Sequence, residues 1–198
     1  MPTASPATIR VVTFPRTKEP TTPLGNRQLG EEERAQLERK VAEVEPGEIV
    51  GIDARRVEFL NYTFADECFG KLFNRIRAGE FGERFAVFVA DESRFEEELK
   101  DVSVALAARK LAALCVDDPA HTEDWRIVGE LPESLKHTLE AVEAGDTNET
   151  LAGRLGINLT TCNNRTDRLV KLRLLRRTLH RGDLGYKQYE FAPVLAPS

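Results

Sequence analysis

The stretch TLAGRLGINLTTCNNRTDRLVKLRLLRR, residues 150–177, decides the fold of the second half of this chain. Apolar residues line one side of its first part, which predicts a short helix. Gly156 follows where a left-handed helix cap is favoured, and the polar residues 158–160 can cap a second helix. In that second helix, small and apolar side chains recur at helical spacing: Cys162, Thr166, Leu169 and either Val170 or Leu172. The stretch therefore predicts two helices joined by a tight turn and followed by a strand.

The opposite side of the second helix carries side chains that hydrogen-bond base edges and phosphates. These are Thr161, Asn163, Asn164, Arg165 and Arg168. The residues after the strand predict a hairpin with its turn at 182–185. The whole stretch resembles the helix-turn-helix of a winged-helix DNA-binding domain. A helical hairpin with a solvated, charged face is the alternative that the same pattern allows.

The winged-helix resemblance implies that the second helix enters the major groove, where Asn and Arg suit bidentate contacts with adenine and guanine. Near the helix N-terminus, backbone amides and two Thr hydroxyls favour phosphate. Arg181 and Lys187 flank the hairpin tip, from which they can reach an adjacent groove or the DNA backbone. The predicted DNA-contact residues are Thr160, Thr161, Asn163, Asn164, Arg165, Arg168, Arg181 and Lys187.

Basic charge is concentrated on the segment with this pattern. The whole chain of 198 residues has a formal net charge of −5. Residues 147–198 nevertheless hold 9 Lys and Arg against 4 Asp and Glu, whereas residues 1–130 hold 18 against 25. Because phosphate binding needs a local basic patch rather than a basic protein, this distribution favours nucleic-acid binding by the C-terminal part.

The first half of the chain alternates strand-like with helix-like segments. Strands are predicted at 8–14, 48–54 and 84–90. Helices are predicted at 31–44, 64–78, 93–100 and 102–114. This order predicts an α/β layer, in which helices pack on a sheet.

Short motifs in this half resemble the STAS-like domain family of unknown function. The segments LGNRQLGEEERAQLERKV and IDARRVEFLNYTFADECFGKLF contain the resemblance. The matching residues are Arg27, Gly30, Asp53, Val57, Thr63, Phe64, Ala65, Asp66 and Glu67. The resemblance implies an α/β fold related to anti-sigma-factor antagonists, with a Gly/Arg turn before the first helix, and it implies no enzyme activity.

Thr63 is a second candidate site, as a position for phosphorylation. In anti-sigma-factor antagonists the matching helix start has a phosphorylated Ser preceded by an Asp, with which Thr63 and Asn61 align here. A phosphate at a helix N-terminus is electrostatically favoured, but Asp66 and Glu67 in the first turn would repel it. A simple N-cap role for Thr63 is the alternative.

The Asp-Asp-Pro run near residue 118 predicts a linker. The predicted organisation is a STAS-like α/β domain over 8–116, a linker over 117–124 and a mainly α winged helix-turn-helix domain over 125–198. The three Cys residues are scattered and form no pattern with His, so we expect buried free thiols, no metal and no cofactor. No apolar run has the length of a membrane span, and the first residues lack a signal-peptide pattern.

These patterns predict a bacterial, cytoplasmic transcriptional regulator that is not an enzyme. We expect it to bind double-stranded DNA as a homodimer, because winged-helix proteins usually occupy two half-sites. Its N-terminal domain would sense a signal or bind a protein partner. The alternative is a protein-interaction module of a partner-switching pathway, without direct DNA binding, since an acidic N-terminal half suits a basic partner.

Overall fold

A computed structural model describes residues 9–14, 25–57, 59–91, 97, 99–181 and 187–195. They form two compact units, which divide between Glu130 and Leu131. This boundary lies later than the predicted linker at 117–124. The reason is that the segment 126–129, which the sequence placed in the second domain, pairs antiparallel with a strand of the first unit.

The first unit alternates strands with helices. Its strands are β1 (Ile9–Thr13), β2 (Ile49–Asp53), β3 (Phe85–Val89), β4 (Ala112–Val116) and β5 (Arg126–Gly129). Its described helices are α1 (Arg27–Glu43), α2 (Tyr62–Ala65), a π-helical turn (Asp66–Gly70), α3 (Lys71–Arg77) and α4 (Lys100–Ala108). The predicted α/β architecture is confirmed.

The five strands form one sheet in the order β1-β2-β3-β4-β5. β1 to β4 run parallel, and β5 runs antiparallel to β4. Because parallel crossovers are right-handed and the strand order is sequential, the crossover helices lie on one face of the sheet. Aromatic contacts join the two layers: Phe69 and Phe73 each lie with their ring centroid 5.3 Å from that of Phe88 in β3.

The first helix begins earlier than the sequence predicted. α1 starts at Arg27 rather than at residue 31, because the Asn26 side chain accepts a hydrogen bond from a first-turn N–H at 2.7 Å. The expected Gly/Arg turn is therefore helical. Gly30 within it permits close packing, since a Cβ at that position would lie 3.1 Å from Glu67 Cβ and 3.2 Å from the Phe64 carbonyl oxygen.

The second helical segment also starts early, and its cap is not the predicted residue. Asn61 caps α2: its Oδ1 accepts from the Phe64 N–H at 3.0 Å, and its Nδ2 donates to the Gly25 carbonyl at 2.9 Å. Thr63 therefore does not cap this helix. It lies exposed in the first turn.

Residues 112–116 form a strand where the sequence predicted the second half of a helix over 102–114. α4 ends at Ala108, and Lys110 adopts a left-handed conformation with φ of 54°. β4 then pairs with β3 on one side and β5 on the other. Pairing between distant segments overrides the local helical pattern here. Most of the predicted helix over 93–100 lies outside the described residues.

A buried carboxylate links the helices that pack on the sheet. Glu67 is 2% exposed, and its Oε1 accepts from Lys71 Nζ at 2.7 Å and from Arg34 Nη2 at 3.2 Å. The adjacent Asp66 accepts from Arg109 at 2.6 and 3.0 Å, and these bonds hold the pKa of Asp66 below its usual value. Since a buried charge is tolerated only when it is paired, the acidic motif residues have a structural role.

The described part of the second unit contains three helices followed by an antiparallel hairpin. The helices are α5 (Glu133–Ala141), α6 (Asn148–Leu155) and α7 (Leu159–Lys171). The hairpin strands are β6 (Leu175–Arg181) and β7 (Lys187–Pro193). The predicted pair of helices and the two hairpin strands are confirmed, and the predicted turn at 182–185 lies outside the described residues.

Removing the Glu67 carboxylate is expected to destabilise the first unit. Glu67→Ala should lower the free energy of unfolding by about 1–3 kcal/mol, because Arg34 and Lys71 lose their hydrogen bonds to a buried carboxylate. Glu31→Ala is the matched control: this carboxylate also lies near Arg34, at 3.8 Å, but it is 68% exposed, so we expect less than about 0.5 kcal/mol. Urea unfolding followed by circular dichroism measures both, and equal losses would contradict the structural role of Glu67.

Candidate nucleic-acid interface

Local capping interactions define the turn between α6 and α7. Thr147 and Thr150 form a reciprocal cap at the start of α6, with hydrogen bonds of 2.9 and 3.2 Å between side chain and backbone. Gly156 ends α6 in the left-handed conformation, with φ of 64°. The Asn158 side chain then accepts from the Thr161 N–H at 2.8 Å and starts α7. The caps predicted at Gly156 and within 158–160 are confirmed.

One side of α7 is buried against the rest of the unit. Cys162, Thr166 and Leu169 are each 0% exposed, as the helical spacing predicted. The Thr166 hydroxyl donates to Asn148 Oδ1 at 2.9 Å, which attaches α7 to the first residue of α6. The rotation of α7 about its own axis is therefore fixed.

Asp146 joins three parts of the unit. It is 6% exposed, and its carboxylate accepts from Arg154 at 2.6 and 3.0 Å, from the Thr150 hydroxyl at 3.0 Å and from the Glu143 N–H at 2.8 Å. Its own carbonyl accepts from the Phe191 N–H at 2.8 Å. Burial alone would raise the pKa of Asp146, but the hydrogen bonds, led by those from Arg154, hold it below its usual value.

The opposite side of α7 is exposed. The exposed residues are Leu159, Thr160, Asn163, Asn164, Asp167, Arg168 and Lys171. From Thr160 onward they recur every three or four positions, so they share one face of the helix. Four predicted contact residues lie on this face, whereas Thr161 is half-buried. Lys171 was not among the predicted contact residues, although the same spacing extended by one turn would have included it.

The structure separates Arg165 from this exposed face. Arg165 follows the buried Cys162 by three positions and precedes the buried Leu169 by four. This spacing places it at the border of the packed side of the helix. The side chain is half-buried, and its Nη1 donates to the buried Thr138 hydroxyl of α5 at 3.4 Å. Arg165 thus contacts α5, while Arg168 points away from the unit.

The hairpin is attached to α7 through Arg177. Its Nη1 donates to Asp167 Oδ1 at 3.0 Å, and its guanidinium lies 4.7 Å from the centroid of the Tyr189 ring. Arg181 and Lys187 face each other in the hairpin register, as their predicted positions beside the tip require. The structure describes their backbone only.

The exposed face of α7 carries positive charge that is not neutralised by ion pairs among the residues that the structure describes. Arg154 is paired with Asp146 and Glu143, and Arg177 is paired with Asp167. Arg168 and Lys171 form no ion pair with the described part of the chain. Their charge can therefore act on a ligand.

Thr63 of the first unit lies on the surface, which a modification site requires. Asp66 and Glu67, which would repel a phosphate there, are compensated by Arg109 and by Arg34 and Lys71. The predicted repulsion is therefore weaker than the sequence suggested.

Few other features of the described residues suggest a ligand. A cavity of about 420 Å³ lies beside β1 and α1, with Val12, Phe14 and Leu37 among its lining residues. No group of three or more His, Cys, Asp and Glu in the described ranges could hold a metal ion. The three Cys residues are buried free thiols, as predicted. None of the described helices has both the length and the apolar character needed to cross a membrane.

Comparison of the chain with protein-family models, with curated proteins and with solved structures finds no match.

Replacing Asp146 with Asn is expected to lower the free energy of unfolding at neutral pH by about 1–3 kcal/mol, because Arg154 loses the more buried of its two charged partners. The pKa of Asp146 is lowered in the folded state, so the carboxylate stabilises fully above its unfolded value of about 3.9 and loses this effect as the pH falls through the folded-state pKa. The variant and the wild type should therefore converge in strong acid.

Urea unfolding at a series of pH values measures this convergence. Glu140→Gln, which removes a carboxylate that is 47% exposed on α5, is the control and should change stability little at any pH. A stability difference for Asp146→Asn that stays constant into strong acid would contradict the assigned role of the carboxylate.

Proposed function

We propose that the second unit is a winged helix-turn-helix domain that binds double-stranded DNA, and that the protein is a transcriptional regulator rather than an enzyme. The observation that supports this most strongly is the exposed face of α7. Its members are Thr160, Asn163, Asn164, Arg168 and Lys171. They lie on a helix whose opposite side is packed and hydrogen-bonded, so the face is presented in a fixed orientation.

The chemistry of this face suits a DNA groove. The major groove of B-DNA admits an α-helix, and Asn and Arg side chains match the hydrogen-bonding edges of adenine and guanine. Thr160, in the first turn of α7, can contact phosphate together with the free backbone amides at the helix start. The unpaired cations Arg168 and Lys171 would neutralise phosphates and release counterions.

The hairpin suits the role of the wing. β6 follows α7 after a short turn, and Arg177 connects the two elements through Asp167 and Tyr189. A helix and a hairpin that are attached to each other can contact one stretch of duplex together. In this arrangement Arg181 and Lys187, beside the hairpin tip, would contact the adjacent groove or backbone.

The first unit would regulate this binding as a STAS-like domain that senses a signal or binds a protein. Its sheet of sequential, mainly parallel strands with helices on one face is consistent with that role, and the cavity beside β1 and α1 offers space for a small ligand. We also propose a cytoplasmic homodimer, since two recognition helices at half-site spacing are the usual arrangement for such proteins.

Loss of the two unpaired cations should weaken DNA binding and its salt dependence. For Arg168→Ala with Lys171→Ala, the slope of log affinity against log salt should become shallower by about 0.9 for each lost phosphate contact. Lys136→Ala removes a half-exposed cation of α5 that pairs with Glu140, outside the proposed interface, and should leave the slope unchanged. Fluorescence anisotropy with a labelled duplex over a salt series measures all three proteins.

Wild-type protein that binds no duplex even at low salt would contradict the proposal. If a protein partner then bound the chain, the partner-switching role would be the better explanation. Equal slopes for the double variant and Lys136→Ala would show that Arg168 and Lys171 do not contact phosphate, which would contradict their assigned role.

Arg177 is expected to support DNA binding through Asp167. Arg177→Ala should weaken duplex binding, because it leaves the Asp167 carboxylate uncompensated where phosphate approaches. Adding Asp167→Ala should restore most of the affinity. A double-mutant cycle by anisotropy should give a coupling energy of roughly 0.5–3 kcal/mol. Additive effects of the two substitutions would instead mean that Arg177 contacts DNA by itself.

A further inference from the structure

We infer that α7 selects DNA sites with adenine in the major groove, through Asn163 and Asn164, and that Arg165 does not contact bases. This inference rests on the proposed DNA binding and specifies its target. Two observations support it: the exposed polar side chains at the start of α7 include Asn163 and Asn164, whereas Arg165 is hydrogen-bonded within the protein.

The first two turns of α7 present no exposed cation. Residues near the N-terminus of a recognition helix usually make the base contacts. In α7 the exposed residues there are Leu159, Thr160, Asn163 and Asn164. Arg168 and Lys171 are exposed only in the later turns, where they suit the phosphate backbone better than the base edges.

The two carboxamides are free to contact a base. The side chains of Asn163 and Asn164 are exposed and make no hydrogen bond with the described residues. Each amide has two N–H donors and an acceptor oxygen on adjacent atoms. Adenine offers the matching pair, the N7 acceptor and the N6 donor, whereas guanine offers two acceptors at the same edge. A bidentate Asn contact therefore favours adenine.

Arg165 is the side chain that would otherwise favour guanine, and it is bonded elsewhere. Its Nη1 donates to the Thr138 hydroxyl at 3.4 Å, and that hydroxyl in turn donates to the Ser134 carbonyl at 2.8 Å. Thr138 is fully buried. Turning Arg165 toward a groove would cost this contact and the packing of its half-buried stem on α5.

Asp167 follows Asn163 by four positions and Asn164 by three, so it lies on the same helical face. Its carboxylate could accept a hydrogen bond from cytosine N4. Its Oδ1 already accepts from Arg177 at 3.0 Å. That ion pair reduces the carboxylate's capacity to select cytosine and lowers its repulsion of phosphate. The carboxamides of Asn163 and Asn164 are therefore the groups best placed for base selection.

The test is selection of duplexes by the full-length chain from a pool with a randomised central region, followed by sequencing. Wild type should enrich adenine at one or two adjacent positions. Asn163→Ala with Asn164→Ala should reduce that preference about tenfold, and the salt slope should change less than it does for Arg168→Ala with Lys171→Ala, because the Asn side chains carry no charge. Arg165→Met, which keeps the packed stem, should retain the adenine preference. Circular dichroism confirms that each variant is folded.

The outcomes separate this inference from the function on which it rests. Salt-dependent binding with enriched guanine that Arg165→Met abolishes would overturn the adenine inference and leave the proposed DNA binding intact. Adenine enrichment that persists in the double Asn variant would also overturn the inference. Absence of any duplex binding by the wild type would overturn both.

Discussion

The arrangement of the second unit depends on one buried carboxylate. Asp146 accepts hydrogen bonds from Arg154, Thr150 and Glu143, and its backbone pairs with Phe191 in the hairpin. A buried charge is stable only when partners surround it, so the α5–α6 turn, α6 and β7 must meet at this point. The position of α7 follows, because a short turn connects it to α6 and its buried side leaves it one orientation. The proposed DNA-binding face is a consequence of that constraint.

The first unit uses the same device in its helix layer. Glu67 lies in a π-helical turn and accepts from Arg34 of α1 and Lys71 of α3. The absence of a side chain at Gly30 lets α1 approach this turn closely. Gly30 and Glu67, two of the residues that carry the resemblance to a STAS-like motif, therefore have structural roles in this chain, apart from any signalling role. A regulatory function for this unit would have to use its remaining surface, including the exposed Thr63.

Local signals in the sequence predicted much of the second unit. Gly156 ends a helix because it tolerates a positive φ, and the spacing of Cys162, Thr166 and Leu169 identified the buried side of α7. Predictions failed where distant contacts decide the outcome. The sequence of β4 has a helical pattern, but the segment forms a strand because it pairs with β3 and β5. Asn61 rather than Thr63 caps α2, partly because Asn61 also bonds Gly25, far away in sequence. The half-buried position of Arg165 depends on α5, which periodicity within one helix cannot reveal.

Backbone-amide NMR of the isotope-labelled full chain, titrated with duplex DNA at low salt, tests most directly whether the exposed face of α7 meets DNA. We expect the largest chemical-shift changes at residues 159–171 and in the hairpin strands, and these changes should diminish as salt is added, because phosphate contacts release counterions. Shift changes confined to residues 9–130, or the same small changes throughout the chain, would contradict DNA binding by the second unit.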